Sequence, residues 1–183
     1  MRAVWALGIV AAACSSQPQT SPLRRIYTTA LERSTDFTYR KSVGATQNPP
    51  ARPTESIVVA RPDDFLDDFP LDEAYFYDSP LNRGCFSLNV RGDTIEATVS
   101  NECRARTPLR RQTAVLRGDT PLFLDLDAFH DNELYEIEVR AHVEFDDRGK
   151  YRRHRLEKNY RLKWLNLRFG AVLTGERVDH PGR

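Results

Sequence analysis

Between Leu134 and Phe145 the chain alternates without a break. Tyr135, Ile137, Val139, Ala141, Val143 and Phe145 point one way, and Glu136, Glu138, Arg140, His142 and Glu144 point the other. A period of two sustained over this length is the pattern of a half-buried strand, and one apolar face against one charged face is the mark of an antiparallel sheet with a wet side. The same signature recurs downstream of Ser56. Leu122, Leu124 and Leu126 alternate with Phe123, Asp125 and Asp127 up to Phe129, and Asp146–Gly149 turns the chain after the long strand. The expected fold class is therefore all-β and mainly antiparallel, a β-sandwich of immunoglobulin- or transthyretin-like type with a short N-terminal helix. A small β-barrel is the alternative.

The sharpest local signal lies at 85–103. With Gly92-Asp93 as a two-residue turn, glycine first as a type II′ turn requires, Val90 faces Ile95, Leu88 faces Ala97 and Phe86 faces Val99. All three pairs are apolar and share a face. Asn89 with Glu96 and Ser87 with Thr98 make the other face polar, so turn chemistry and alternation agree on one register. Cys85 and Cys103 flank this hairpin. The tetrapeptide Arg-Gly-Asp-Thr stands at 91–94 and again at 117–120, each time where a tight turn is needed. Gly-Asp is ordinary turn chemistry, so the adhesion reading of Arg-Gly-Asp is set aside.

Lys150–Phe169 breaks the rule. Arg152 to Lys158 is polar on both faces, and apolar residues return as Tyr160, Leu162 and Trp164 in one phase, then Leu165, Leu167 and Phe169 in the other. The phase change predicts a bulge or break near Trp164. The charged stretch is expected to be a guarded edge strand or a hairpin tip projecting beyond the core. After Gly170 the sequence turns polar and is expected to fray as a tail, 171–183.

Towards the N-terminus, Ser21 is placed to cap a helix with Pro22 in its first turn, and Leu23, Ile26, Tyr27, Ala30 and Leu31 form one apolar stripe. Thr35–Val43 alternates weakly as a strand. Gly44–Glu55, with Pro49, Pro50 and Pro53, is a loop. Ser56–Ala60 is a short strand, 61–72 an acidic loop, and Glu73–Tyr77 is strand-like. The expected organisation is a leader 1–13, a polar tether 14–20, helix and loop over 21–55, and a β domain over 56–170.

The first residues carry an address. Met1-Arg2 precedes an apolar run, Ala3 to Ala13, too short to cross a bilayer as a helix but suited to a secretory signal. Val10-Ala11-Ala12-Ala13-Cys14 resembles the lipobox of bacterial lipoproteins. The resemblance implies cleavage before Cys14 and acylation of that cysteine. With Ser15 following, it further implies a lipid-anchored protein at the outer membrane, facing the periplasm. An ordinary cleaved signal, leaving a free secreted chain, is the alternative. The chain has three cysteines. An unpaired thiol in an oxidising compartment is a liability, and acylating Cys14 leaves Cys85 and Cys103 to pair, a crosslink worth about 2–4 kcal/mol.

Cleavage there removes one base, Arg2, of the 27 and leaves 26 basic against 26 acidic residues. A neutral domain is not built for general nucleic-acid binding. Charge is nonetheless blocked out: six acids and no base over 63–73, five arginines and no acid over 104–117, nine bases and one acid over 148–168. Such blocks are usually solvated faces that complement one another within the fold. The four histidines, His130, His142, His154 and His180, have no metal-binding spacing, and His142 and His154 are expected to face each other on the wet side of the long hairpin. The acidic run lacks the spacing of a calcium loop. No nucleophile elbow or phosphate loop is present, and neither metal nor cofactor is expected.

The resulting expectation is a non-catalytic binding or assembly module with an envelope protein as partner. Its contact surface is placed at Arg148, Arg152, Arg153, Arg155 and Lys158, with Glu136, Glu138, Arg140 and Glu144 beside it. Two other readings stand next to it. One is a carrier of a lipid or apolar ligand, lined by Phe65, Phe69, Tyr75, Phe76, Trp164 and Phe169. The other is an envelope hydrolase.

Overall fold

In a computed structural model, residues 20–34, 38–45, 54–59 and 72–178 are described. Residues 1–19, with the leader and Cys14, and 60–71, with Phe65 and Phe69, lie outside them. One helix, α1 (Pro22–Glu32), precedes nine strands: β1 (Thr38–Ala45), β2 (Thr54–Val59), β3 (Phe86–Arg91), β4 (Thr94–Val99), β5 (Leu109–Arg117), β6 (Thr120–Asp131), β7 (Tyr135–Phe145), β8 (Tyr151–Leu162) and β9 (Leu167–Val178). All pairings are antiparallel, in the order β2-β1-β9-β8-β7-β6-β5-β4-β3.

The all-β, mainly antiparallel class with a short N-terminal helix is what the structure has. The arrangement is one continuous open sheet, and the closed barrel is excluded because its ends, β2 and β3, are not neighbours. Nor does the ladder divide into the two separately bonded sheets of a sandwich. The reason is the connections. From β3 to β9 each strand is joined to the next by a turn or short loop and pairs with it, which is a meander. Only the link between β2 and β3 carries the chain from one edge to the other.

The local chemistry is as expected at several points. Ser21 Oγ accepts from Arg24 N at 2.9 Å, with proline in the first turn of α1. Leu23, Tyr27, Ala30 and Leu31 are buried. The β3–β4 register is the one read from the sequence, Phe86 opposite Val99 through Val90 opposite Ile95, and Gly92 has φ +57°. Gly118 repeats that geometry at φ +60° between Arg117 and Thr120, so the two tetrapeptides are two copies of one turn. Cys85 and Cys103 are joined as a disulfide, with Cα atoms 5.3 Å apart.

Three expectations are corrected and one, the break near Trp164, is sharpened. Glu73–Tyr75 is a 3-10 turn, started by Asp72, whose side chain accepts from Ala74 N at 3.2 Å. The charged stretch 152–158 is neither edge nor tip, because β8 lies inside the sheet between β7 and β9. The break near Trp164 is a complete reversal, since β8 ends at Leu162 and β9 starts at Leu167. The polar segment after Gly170 does not fray there, because β9 runs to Val178 between β8 and β1. Thr174 and Glu176 stand on its outer face, opposite Arg155 and Arg153.

The core lies on one side of the sheet. Ala114, Leu124, Leu126, Ala128, Val139, Ala141, Val143, Phe145 and Leu156 face it, and α1 covers part of it. Tyr27 donates from its hydroxyl to Phe123 O at 2.6 Å and packs its ring against Phe145. The 73–77 segment is docked by buried Gln112. Its Oε1 accepts from Tyr77 N at 3.1 Å and its Nε2 donates to Tyr75 O at 2.9 Å. A buried amide that meets two otherwise orphaned backbone groups explains a glutamine in the apolar phase of β5.

Candidate functional site

The outer face of β5–β9 is a field of charge, and its register makes it self-neutralising. Asp127, Arg140 and Glu157 stand opposite one another across β6, β7 and β8. Arg111 reaches Asp127 at 3.1 Å, Arg153 reaches Glu144 at 2.5 Å, Arg155 reaches Glu157 at 2.5 Å, and Arg161 reaches Glu136 at 3.3 Å. Lys163 pairs with Asp131. The two basic blocks, 104–117 and 148–168, thus meet acids of β6, β7 and β8 in space. Exposed pairs of this kind contribute little stability each but leave no net field with which to draw a charged partner.

The proposed contact residues are dispersed by this arrangement. Arg148 sits in the β7–β8 turn, its backbone N–H held by Asp146 at 2.9 Å. Arg152, Arg153 and Arg155 are exposed, the last two in ion pairs. Lys158 is half-buried opposite Val139, on the core-side phase of β8. These five do not form one surface.

His142 is the hub of the charged face. Its Nδ1 lies 2.5 Å from Asp125 Oδ1 and its Nε2 2.9 Å from Glu144 Oε1. The hydrogen bond to Asp125, aided by Glu144, raises its pKa above the ordinary histidine value. Arg153, and then His142, hold Glu144 below the usual carboxylate range. His154 is not its neighbour. It is 4% exposed on the core side, 2.8 Å from the Tyr151 hydroxyl, opposite Gly175. A Cβ at Gly175 would overlap the His154 ring, so the glycine makes room for it. His130 is also on the core side, 2.6 Å from the Tyr75 hydroxyl; burial, with Arg110 acting the same way, lowers its pKa. Among the described residues no group of histidine, cysteine and carboxylate side chains is placed to hold a metal ion.

The residues posited as a ligand-lining set are also scattered. Phe76 is fully buried in the core, Tyr75 is bonded to His130, Phe169 stacks on Tyr160 with centroids 4.9 Å apart, and Trp164 is out in solvent.

What the sequence reading missed is the end of the sheet where β7 and β9 begin and β8 ends. Trp164 is 73% exposed there and Leu134 63%, with Leu165 and Leu167 each about half exposed. Lys163 N donates to Leu134 O at 3.0 Å, which ties the 163–166 turn to the β6–β7 loop at one end of the sheet. Asn166, at φ +47°, completes the reversal. Beside it a cavity of about 380 Å³ is lined by Phe129, Glu136, Asn159, Tyr160, Arg168 and Phe169 among others. The signal was the phase change at Trp164, where apolar residues occupy consecutive positions and cannot all face one core.

No protein-family model matches the chain, and no curated protein matches it. Among solved structures, a tryptophan-to-alanine mutant of the vaccine antigen transferrin binding protein B from Haemophilus parasuis aligns with 84% of this chain and 28% of its own, at 10% identity and a TM-score of 0.23. A likeness at that level assigns neither fold nor function. Among the described residues no helix is long and apolar enough to cross a membrane.

Proposed function

We propose that the chain is an exported, lipid-anchored envelope module that works by binding a protein partner, not by catalysis. The observation that carries the binding reading is the exposed apolar end formed by Leu134, Trp164, Leu165 and Leu167. The contact surface moves there from the charged hairpin, whose Arg153 and Arg155 are already engaged with Glu144 and Glu157. Trp164, projecting from a turn held between strands, is of a residue type enriched among the few side chains that dominate interfaces. The anchor rests on the lipobox-like Val10–Cys14 segment and on cysteine pairing. Cys85 and Cys103 are used by each other, so Cys14 is the odd one. On this reading the protein faces the periplasm from the outer membrane.

The test uses the full chain in cells. A photo-crosslinking residue at position 164 is expected to capture a discrete envelope protein, and the same probe at position 153 is not. Capture from 153 alone would return the site to the charged hairpin; capture from neither would remove the binding reading. For the anchor, Cys14→Ser is expected to move the protein from the membrane to the soluble fraction. A variant that still sediments with membranes sinks the lipid.

A further inference from the structure

The edge strand β3 carries an inference beyond that reading, on a different surface. Edge strands are normally blunted by lysine, proline or a bulge. β3 has none of these: its sequence is Phe-Ser-Leu-Asn-Val-Arg, and its pairing with β4 is unbroken from Phe86 to Arg91. It is the last described strand on its side of the sheet. The Cys85–Cys103 bond clamps its root.

The direction of its backbone groups follows from the turn. Arg91 and Thr94 flank a two-residue turn and are a bonded pair, and bonded pairs then fall at every second position of the hairpin. Asn89 with Glu96, Ser87 with Thr98 and Cys85 with Ser100 continue the series, the last seen as Ser100 N donating to Cys85 O at 2.8 Å. The N–H and C=O groups of Phe86, Leu88 and Val90 therefore point away from β4, over the open edge. The same three residues carry the apolar side chains, and Leu88 and Val90 are 53% and 62% exposed. Beside them on the flank of the sheet lies a groove of about 730 Å³, lined by Tyr77, Pro80, Phe86 and Leu88 among others.

We propose that β3 pairs antiparallel with β3 of a second copy of this chain, about a twofold axis at Leu88. That register sets Leu88 opposite Leu88, Phe86 opposite Val90 and Ser87 opposite Asn89. It is the only register in which all three outward-pointing residues meet one another, giving three bonded pairs. Apolar residues meet apolar ones on one face and polar meet polar on the other. Arg91 falls opposite Cys85, so no like charges oppose. A strand that is its own complement in this way satisfies the isologous requirement of a twofold dimer. The result is two sheets joined edge to edge into one, with the Trp164 end of each copy left open.

Cysteine crosslinking in cells expressing the full chain tests the register. Bonded antiparallel partners have Cα atoms about 5.5 Å apart, within the range a disulfide spans. Leu88→Cys is expected to give a disulfide-linked dimer on mild oxidation. Phe86→Cys and Val90→Cys are expected to remain uncrosslinked alone and to crosslink to each other when co-expressed. Leu88→Arg sets like charges against each other at the axis and is expected to weaken the dimer about tenfold or more by sedimentation. Its fold is checked by an intact Cys85–Cys103 bond and an unchanged circular dichroism spectrum. The proposal is overturned if Leu88→Cys stays monomeric, if it crosslinks to a different protein, or if crosslinking is as strong from Ser87→Cys, which faces the other side.

Discussion

At the scale of single residues, the histidines show what local pattern conveys and what it misses. His142 lies on the wet face, as its place in the β7 alternation requires. His154 was expected beside it and is instead in the core. The cause is one residue. Phe145 pairs with Tyr151, but Glu144 pairs with Arg153, so β8 holds an extra residue at the bulge. A slip of one flips every later side chain to the other face. That single step buries His154, puts Lys158 on the core side and sends Arg153 and Arg155 outward. His142 also gives a pH prediction. Its folded pKa is raised by Asp125 and Glu144. Its contribution to stability is therefore full below the unfolded value of about 6.5 and lost as pH rises through the folded value. His130, held low by burial, acts in the opposite sense. Urea midpoints of the parent chain and His142→Gln are expected to differ most below pH 6.5 and to converge at higher pH. A constant difference across that range would mean the ion pairs to Asp125 and Glu144 contribute nothing.

At the scale of elements, legibility follows turn chemistry. The β3–β4 hairpin was readable to the residue because a glycine-first turn and an alternating pattern admit one register. α1 was readable from its cap and stripe. β5 was not assigned, because Gln112 interrupts its apolar phase and arginines crowd its start. The 73–77 segment was misread as a strand because its aromatic residues suit either state. Gln112 decides its conformation from 35 residues away, by bonding Tyr77 N. Gln112→Leu fits the apolar surroundings but takes the partner from the half-buried Tyr77 N–H and Tyr75 C=O, at about 1–2 kcal/mol for each group. A drop of about 2–4 kcal/mol in unfolding free energy is expected, with hydrogen exchange at Tyr77 accelerated before that of β6 and β7. Unchanged protection at Tyr77 would show that the segment is held by its side chains alone.

At the scale of the whole molecule, the strand order assigns importance that sequence position hides. β9 lies late in the sequence, yet it bonds β8 on one side and β1 on the other. Removing it detaches the β1–β2 pair from the rest. A chain ending at Gly170 is expected to lose cooperative unfolding, and one ending at Val178 to keep it, when followed by thermal denaturation. Retention of a sharp transition after truncation at Gly170 would show that β9 is dispensable.

What the sequence determined alone was whatever is decided within a few residues. That includes the strand class, from a period of two; the Gly92 and Gly118 turns; and the helix cap. Tertiary structure decided the rest, because it depends on which strands meet. One inserted residue at Arg152 set the face of everything after it. A strand order of β2-β1-β9-β8 turned an expected tail into an interior strand. Lys163 bonding to Leu134 tied two separate turns together at one end of the sheet. Hydrogen-bonded registers are long-range facts, and a side chain's burial is fixed only once they are closed.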